Sequence, residues 1–288
     1  MKKFILSLVL CLIFIQPSYS GSMLADLKTQ NDIRQVRKLL NSQVRWANKT
    51  NFEKFIATYD ENYKNSDGFD LEIYSNLVKD IWNTYGKIRY GIKIKNISIN
   101  GEEAKAELTE TSSAEIPLPE TSYNGELKSR SESIYYFKKT NGKWKVISDD
   151  VTDETTTMMY GKAKELDVKL TVPETIEPDT EYTATLEFVP PDDTVAIASL
   201  ASDIVEYPQK PTQEVFRAMP EDNILERLFT SNNKNANEYI VASIGLTQTS
   251  VCDLSIKLSL TGFGYKIKRV NVIPANKTEK ENANAENK

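Results

Sequence analysis

Apolar residues at Ile33, Val36, Leu40, Val44 and Ala47, with Leu39 alongside, advance in steps of three and four. That spacing predicts a helix over Asp32–Ala47 with one buried face. A short second helix is predicted from Asn51-Phe52-Glu53, carrying Phe52, Phe55, Ile56 and Tyr59. Leu71, Tyr74, Leu77, Val78, Ile81 and Tyr85 predict a third, N-capped by Asp70 and ended by Gly86. From Arg89 the period changes to two: Tyr90, Ile92 and Ile94 alternate with lysines, and Ala104, Ala106 and Leu108 return after Asn100-Gly101. An Asn-Gly pair between alternating runs signals a hairpin. After a polar connection, Pro117 to Gly125, a second hairpin is predicted from Ser131–Lys138 and Lys143–Ile147 around Asn141-Gly142, with Trp144 and Val146 on one face.

The second half reads differently. Thr152–Thr157 and the following Met158-Met159-Tyr160-Gly161 read as a junction. Short alternating runs then follow at 166–172, 182–188, 195–200, 214–219, 238–247, 253–261 and 265–273, punctuated by Pro, Gly and Asp. The stretch 223–229 fits a strand or a helical turn. About seven short strands of this kind predict a β-sandwich. The fold class expected is thus an α+β cone, three helices packed on a bent antiparallel sheet, followed by an all-β sandwich. Residues 275–288 are Asn, Lys, Glu and Ala with no large apolar residue, the composition of a disordered tail.

The long first helix ending in VRWANKT, the segment FEKFIATYDENYKNSDG and the hairpin GKWKVISDD carry a resemblance to the nuclear-transport-factor-2-like (NTF2-like, SnoaL-like, ketosteroid-isomerase-like) superfamily, over about residues 29–157. The resemblance implies a cone-shaped cavity between helices and sheet. It also admits a homodimer paired through the open face of the sheet. Residues 163–274 resemble an immunoglobulin-like domain of the bacterial surface type in strand count and spacing, without the Cys-Trp-Cys hallmark of antibody domains.

In enzymes of the NTF2-like resemblance, the loop after the second helix carries an acid that moves a proton at the cavity mouth. Asp67, in Asn65-Ser66-Asp67-Gly68, is the matching position and the candidate catalytic base. The plainer reading is a turn, with Asp67 bonding its own backbone and Gly68 at positive φ. Asp60, Asn62 and Asp67 do not form a calcium loop: counted from Asp60, the sixth residue is Asn65 rather than Gly and the twelfth is Leu71 rather than Glu. Trp46, Tyr59, Tyr63, Trp82 and Tyr135 are the candidate ligand-binding aromatics, each with core packing as the alternative. Tyr136 is a further phenol that could serve as an electrophile.

Composition narrows the function. The chain has no His, which excludes His-based triads, Cys-His dyads and His-containing metal sites. No metal site and no cofactor motif are expected. Lys2 and Lys3 precede an apolar run, Phe4 to Ile15, which Pro17 breaks, and Ser18-Tyr19-Ser20 offers small residues before a cut at Gly21. Residues 1–20 therefore read as a secretory signal, with an apolar run too short to span a bilayer. Cys11 lacks the preceding small residue of a lipoprotein signal, and Cys252 reads as a buried small residue rather than a nucleophile. The net charge of −5, without clustered basic residues, argues against nucleic acid. The resulting expectation is an exported two-domain binding module that takes a small ligand, peptide or glycan at the cone. The sandwich would act as spacer or partner surface. Alternatives are an assembly protein of the bacterial envelope, or an isomerase- or cyclase-like enzyme using Asp67.

Overall fold

The computed structural model describes residues 20–118, 124–252 and 255–274. The expected signal segment up to residue 19 and the expected tail lie outside the described residues. Three helices come first: α1 (Ser20–Ala47), α2 (Phe52–Ile56) and α3 (Leu71–Tyr85). The caps of α3 are the expected ones, with the Asp70 carboxylate accepting from Ile73 N at 2.9 Å and Gly86 at the far end. Four long strands follow as an antiparallel meander: β1 (Arg89–Asn100), β2 (Glu103–Pro117), β3 (Asn124–Thr140) and β4 (Lys143–Gly161). Asn141 and Gly142 both take positive φ (51° and 75°), as a two-residue type I′ hairpin requires.

Val36, Leu40 and Ala47 of α1, Val78 of α3 and Ala106, Leu108, Phe137, Trp144 and Val146 of the sheet make one buried core. Asp32 fastens α1 to the meander: its carboxylate is 2.5 Å from Lys139 Nζ and accepts from Trp144 Nε1 at 3.3 Å. This is the expected α+β layer.

Beyond a 3-10 turn at Lys162–Glu165 lie β5 (Lys169–Thr171), β6 (Thr175–Ile176), β7 (Glu181–Glu187), β8 (Thr194–Ile204), β9 (Arg217–Ala218), β10 (Ile224–Thr230), β11 (Glu238–Cys252) and β12 (Ser255–Val272). They form two layers. Strands β12, β11, β8 and β9 pair in that order, with β6 beside β12, and face a three-stranded sheet ordered β10-β7-β5. Leu170, Tyr182, Ala184 and Leu186 from the smaller sheet bury against Leu200, Ile240, Ile244, Leu246 and Val270 from the larger. The layers are those of a β-sandwich.

Three expectations need correction. The stretch 152–161 is not a junction, because β4 runs straight through it. Thr155–Tyr160 pairs with β3 on one edge and Thr155–Gly161 with Lys268–Gly262 of β12 on the other, so one sheet continues from β1 to β9. β-Branched threonines suit a strand paired on both edges even without apolar alternation. The run 214–219 shrinks to the two residues of β9, paired with Ile197 and Ala198. The two strands expected at 253–261 and 265–273 are one, β12. Gly262 reads as a break, yet it lets β12 pass the 3-10 turn, where an added Cβ would lie 2.5 Å from Ala163 N.

Gly161 is the matching close approach on β4. It takes φ +56°, and a Cβ there would sit 2.4 Å from Thr261 O. Gly161→Ala is therefore expected to cost about 2 kcal/mol or more, read as a lowered urea midpoint at unchanged slope.

Candidate ligand cavity

The segment after α2 lies along one edge of β4. Val146 N donates to Thr58 O (3.0 Å), Asp60 N to Val146 O (2.8 Å), Lys64 N to Ile147 O (3.2 Å) and Ser66 N to Asp149 O (2.9 Å). This lacing fixes where Tyr59, Tyr63 and Asp67 go. The same edge of β4 is then taken over by β12 from Thr155 onward.

A cavity of about 200 Å³ lies between the helices and the meander. Its walls come from Leu40, Gln43, Val44 and Ala47 of α1, Phe55, Tyr59, and Tyr74, Leu77, Val78, Ile81 and Trp82 of α3. The sheet contributes Tyr90, Gly91 and Ile92 of β1, Leu108, Glu110 and Thr111 of β2, and Tyr135 of β3. The walls are mainly apolar, with one carboxyl group, Glu110. For scale, an apolar cavity of about 150 Å³ is enough to admit benzene.

The polar groups occur in pairs. Tyr135 donates to Glu110 Oε1 at 3.1 Å, Tyr59 and Tyr74 share a hydrogen bond of 3.0 Å, and Trp82 Nε1 donates to the Tyr90 hydroxyl at 2.9 Å. Burial pushes Glu110 above the ordinary carboxylate range, against the pull of the Ser133 and Tyr135 hydroxyls, and the charge of Glu154 adds to the rise. Ser133 is buried beside this pair, and among the described residues its hydroxyl meets no partner at ordinary hydrogen-bond geometry. Burial also raises the hydroxyls of Tyr59, Tyr74 and Tyr135, so all stay protonated at neutral pH.

Behind the aromatic wall, Tyr63 donates a hydrogen bond to Asp149. Burial raises the Asp149 carboxyl to about 7; the Tyr63 hydroxyl opposes that, and the charges of Glu110, Asp67 and Asp150 reinforce it. The Tyr63 ring packs 5.0 Å from Tyr59 and 5.3 Å from Tyr74, centroid to centroid. A carboxyl near 7 beside a phenol has the acidity of a proton-transfer group. Asp149 does not line the cavity, however, and the Tyr63–Asp149 and Tyr59–Tyr74 pairs are separate among the described residues.

The candidates expected from sequence fall into three groups. Tyr59, Trp82 and Tyr135 line the cavity together. Tyr63 stands one layer behind it, and Trp46 is outside, beneath the cationic groups of Arg45 and Lys54 at 4.6 and 4.7 Å from its ring centroid. Asp67 is elsewhere again. Arg269 Nη2 and Nη1 reach its two oxygens at 2.6 and 3.1 Å, and Asn237 Nδ2 donates at 2.7 Å. The pair is buried, with side-chain exposures of 1% for Arg269 and 7% for Asp67. Asp67 thus joins the loop after α2 to β12 and does not line the cavity; it sits in the Asn65–Gly68 turn with Gly68 at φ 88°, as the plainer reading has it, but its side chain bonds Arg269 and Asn237 rather than its own backbone. The side chain that bonds the loop backbone is that of Asn65, whose oxygen accepts from Phe69 N at 2.8 Å.

Glu110 and Asp149 were not singled out from the sequence. Glu110 was findable: it continues the inward parity of Ala104, Ala106 and Leu108, so an acid stands where an apolar residue is expected. Among the described residues, no cluster of three or more Cys, Asp or Glu side chains could hold a metal ion, and no helix is long and apolar enough to cross a membrane.

No protein-family model and no curated protein sequence matches the chain. Solved structures do. Bd1075 of Bdellovibrio bacteriovorus is similar over 41% of this chain and 39% of its own, at 13% identity and a TM-score of 0.34. A provisionally assigned dehydratase of the NTF2-like family from Streptomyces avermitilis matches over 42% of this chain and 95% of its own, at 15% identity and a TM-score of 0.36. A conserved protein from Planctomyces limnophilus matches over 42% of this chain and 94% of its own, at 11% identity and a TM-score of 0.37.

Proposed function

We propose that the chain is an exported binding protein whose cone domain takes a small, mainly apolar molecule, with the sandwich as spacer or partner surface. The observation that supports this reading is the cavity itself: an apolar space of about 200 Å³ with Glu110 and Tyr135 as its polar anchor. Sites of this make-up hold a ligand by apolar contact and orient it through few polar groups. The element order and the cavity are also what the NTF2-like resemblance implies. Binding without turnover fits the geometry better than catalysis, because Asp149 lies behind the wall and Asp67 is engaged by Arg269.

A thermal-shift screen of small aromatic and alicyclic compounds tests the reading. Val44 lines the cavity from α1, so Val44→Trp fills it. Compounds that stabilise the wild-type chain are expected to lose about tenfold or more in affinity for the variant. Hits that bind both proteins equally, or a screen without hits, would count against the cavity as the site.

A further inference from the structure

The walls hold six aromatic rings, Phe55, Tyr59, Tyr74, Trp82, Tyr90 and Tyr135, and one carboxyl group. Among the described residues, no lysine or arginine lines them. We propose that the cavity selects small organic cations, an ammonium group on a compact apolar body, over neutral molecules of the same shape. This rests on the binding reading above and adds the chemical class of the ligand.

The chemistry comes from the lining. Aromatic rings present negative faces that attract a cation, tertiary and quaternary ammonium groups above all, and the attraction grows when water is excluded. The Glu110 carboxyl, when ionised, adds an opposite charge in the same wall. An anionic ligand would meet Glu110 with no basic side chain to offset it. A neutral apolar ligand would cover Glu110 and strip its water without replacing the lost interaction. An ammonium ion avoids both penalties.

The surrounding bonds hold the rings for this role. Each polar tip is engaged with a neighbour, Tyr59 with Tyr74, Trp82 with Tyr90 and Tyr135 with Glu110, so the rings are braced before a ligand arrives. Phe55 is packed 5.5 Å from Tyr59 and 5.8 Å from Trp82, centroid to centroid. A second acid, Asp149, lies one layer behind, bonded to Tyr63. Its charge, when present, adds to the negative potential of the same wall. Preorganised rings lower the ordering cost of binding.

The test is a matched pair: choline, and 3,3-dimethylbutan-1-ol, in which carbon replaces the charged nitrogen. Both are titrated into the full chain by calorimetry at neutral pH. Choline is expected to bind at least about tenfold more tightly. Glu110→Gln, with its fold checked by circular dichroism, is expected to bring the two affinities within about threefold of each other. Trp82→Leu should narrow the ratio as well, through loss of a ring face. Equal binding of the two probes, or preference for the alcohol, overturns the cation inference and leaves the cavity reading standing. Binding of neither probe overturns both for ligands of this size.

Discussion

Arg269→Ala is expected to remove about 3–5 kcal/mol of stability, the usual cost of leaving one member of a buried ion pair alone. The side chain is 1% exposed, and its Nε also donates to Asn271 Oδ1 at 2.7 Å. Asn271 in turn donates to Thr152 O at 2.7 Å and to Glu174 O at 3.2 Å, while Asn237 accepts from Val272 N at 3.0 Å. Without the guanidinium, Asp67 keeps only Asn237 among these partners, and its buried carboxylate is left without the counter-charge. Native domains have about 5–15 kcal/mol in total, so a loss of this size is conspicuous in urea unfolding. The double replacement Arg269→Met with Asp67→Leu should recover much of the loss, because matched apolar side chains remove both charges at once. A loss below about 1 kcal/mol for Arg269→Ala would show that the pair does not clamp the two halves of the sheet.

The second large effect is on pH dependence. In the folded chain the Asp149 carboxyl titrates at about 7, against an ordinary value of 3.8. The folded state therefore holds this proton more tightly than the unfolded chain does. The resulting stabilisation is fully present below about pH 4 and is lost as pH rises through about 7, by up to about 4 kcal/mol at the high-pH end. Glu110 and Glu154 are also raised by burial and contribute with the same sign. Asp149→Asn keeps an acceptor for the Tyr63 hydroxyl and cannot ionise. Its unfolding free energy should vary much less than that of the wild type between about pH 5 and 8. The check is a set of urea transitions across that range. A variant whose slope matches the wild type would mean that Asp149 is solvated in solution.

How much of this was legible in the sequence depends on separation along the chain. Helix α3 was readable to both caps, because Asp70 and Gly86 act on backbone within a few residues of themselves. The hairpins at Asn100-Gly101 and Asn141-Gly142 were equally local. The Asp67–Arg269 pair was not, since it joins residues 202 positions apart through a sheet that had first to be assembled. Asp149 was hidden by a single extra residue. Trp144 and Val146 point inward, and strict alternation would turn Asp149 outward. The register shifts between Tyr136↔Ser148 and Phe137↔Val146, however, leaving Ile147 as a bulge that reverses the parity as far as a second bulge at Thr152. The strand through Thr152–Thr157 was missed because it is paired on both edges, so backbone pairing rather than an apolar face holds it in the sheet. The three cavity aromatics found from sequence share helical or strand parity with the core. Trp46 packs against the same core from the end of α1, its alternative role, with Arg45 and Lys54 over its ring, and stays outside the cavity lining.

One measurement tests the central claim most directly: a methyl-detected NMR titration of the full chain with choline. Methyl shifts should move at Val44, Leu77, Ile81 and Ile92, which line the cavity from α1, α3 and β1, and stay still at Leu170, Leu186 and Ile244 in the sandwich core. Shifts confined to exposed methyls, with Val44, Leu77, Ile81 and Ile92 unmoved at millimolar probe, would contradict the account.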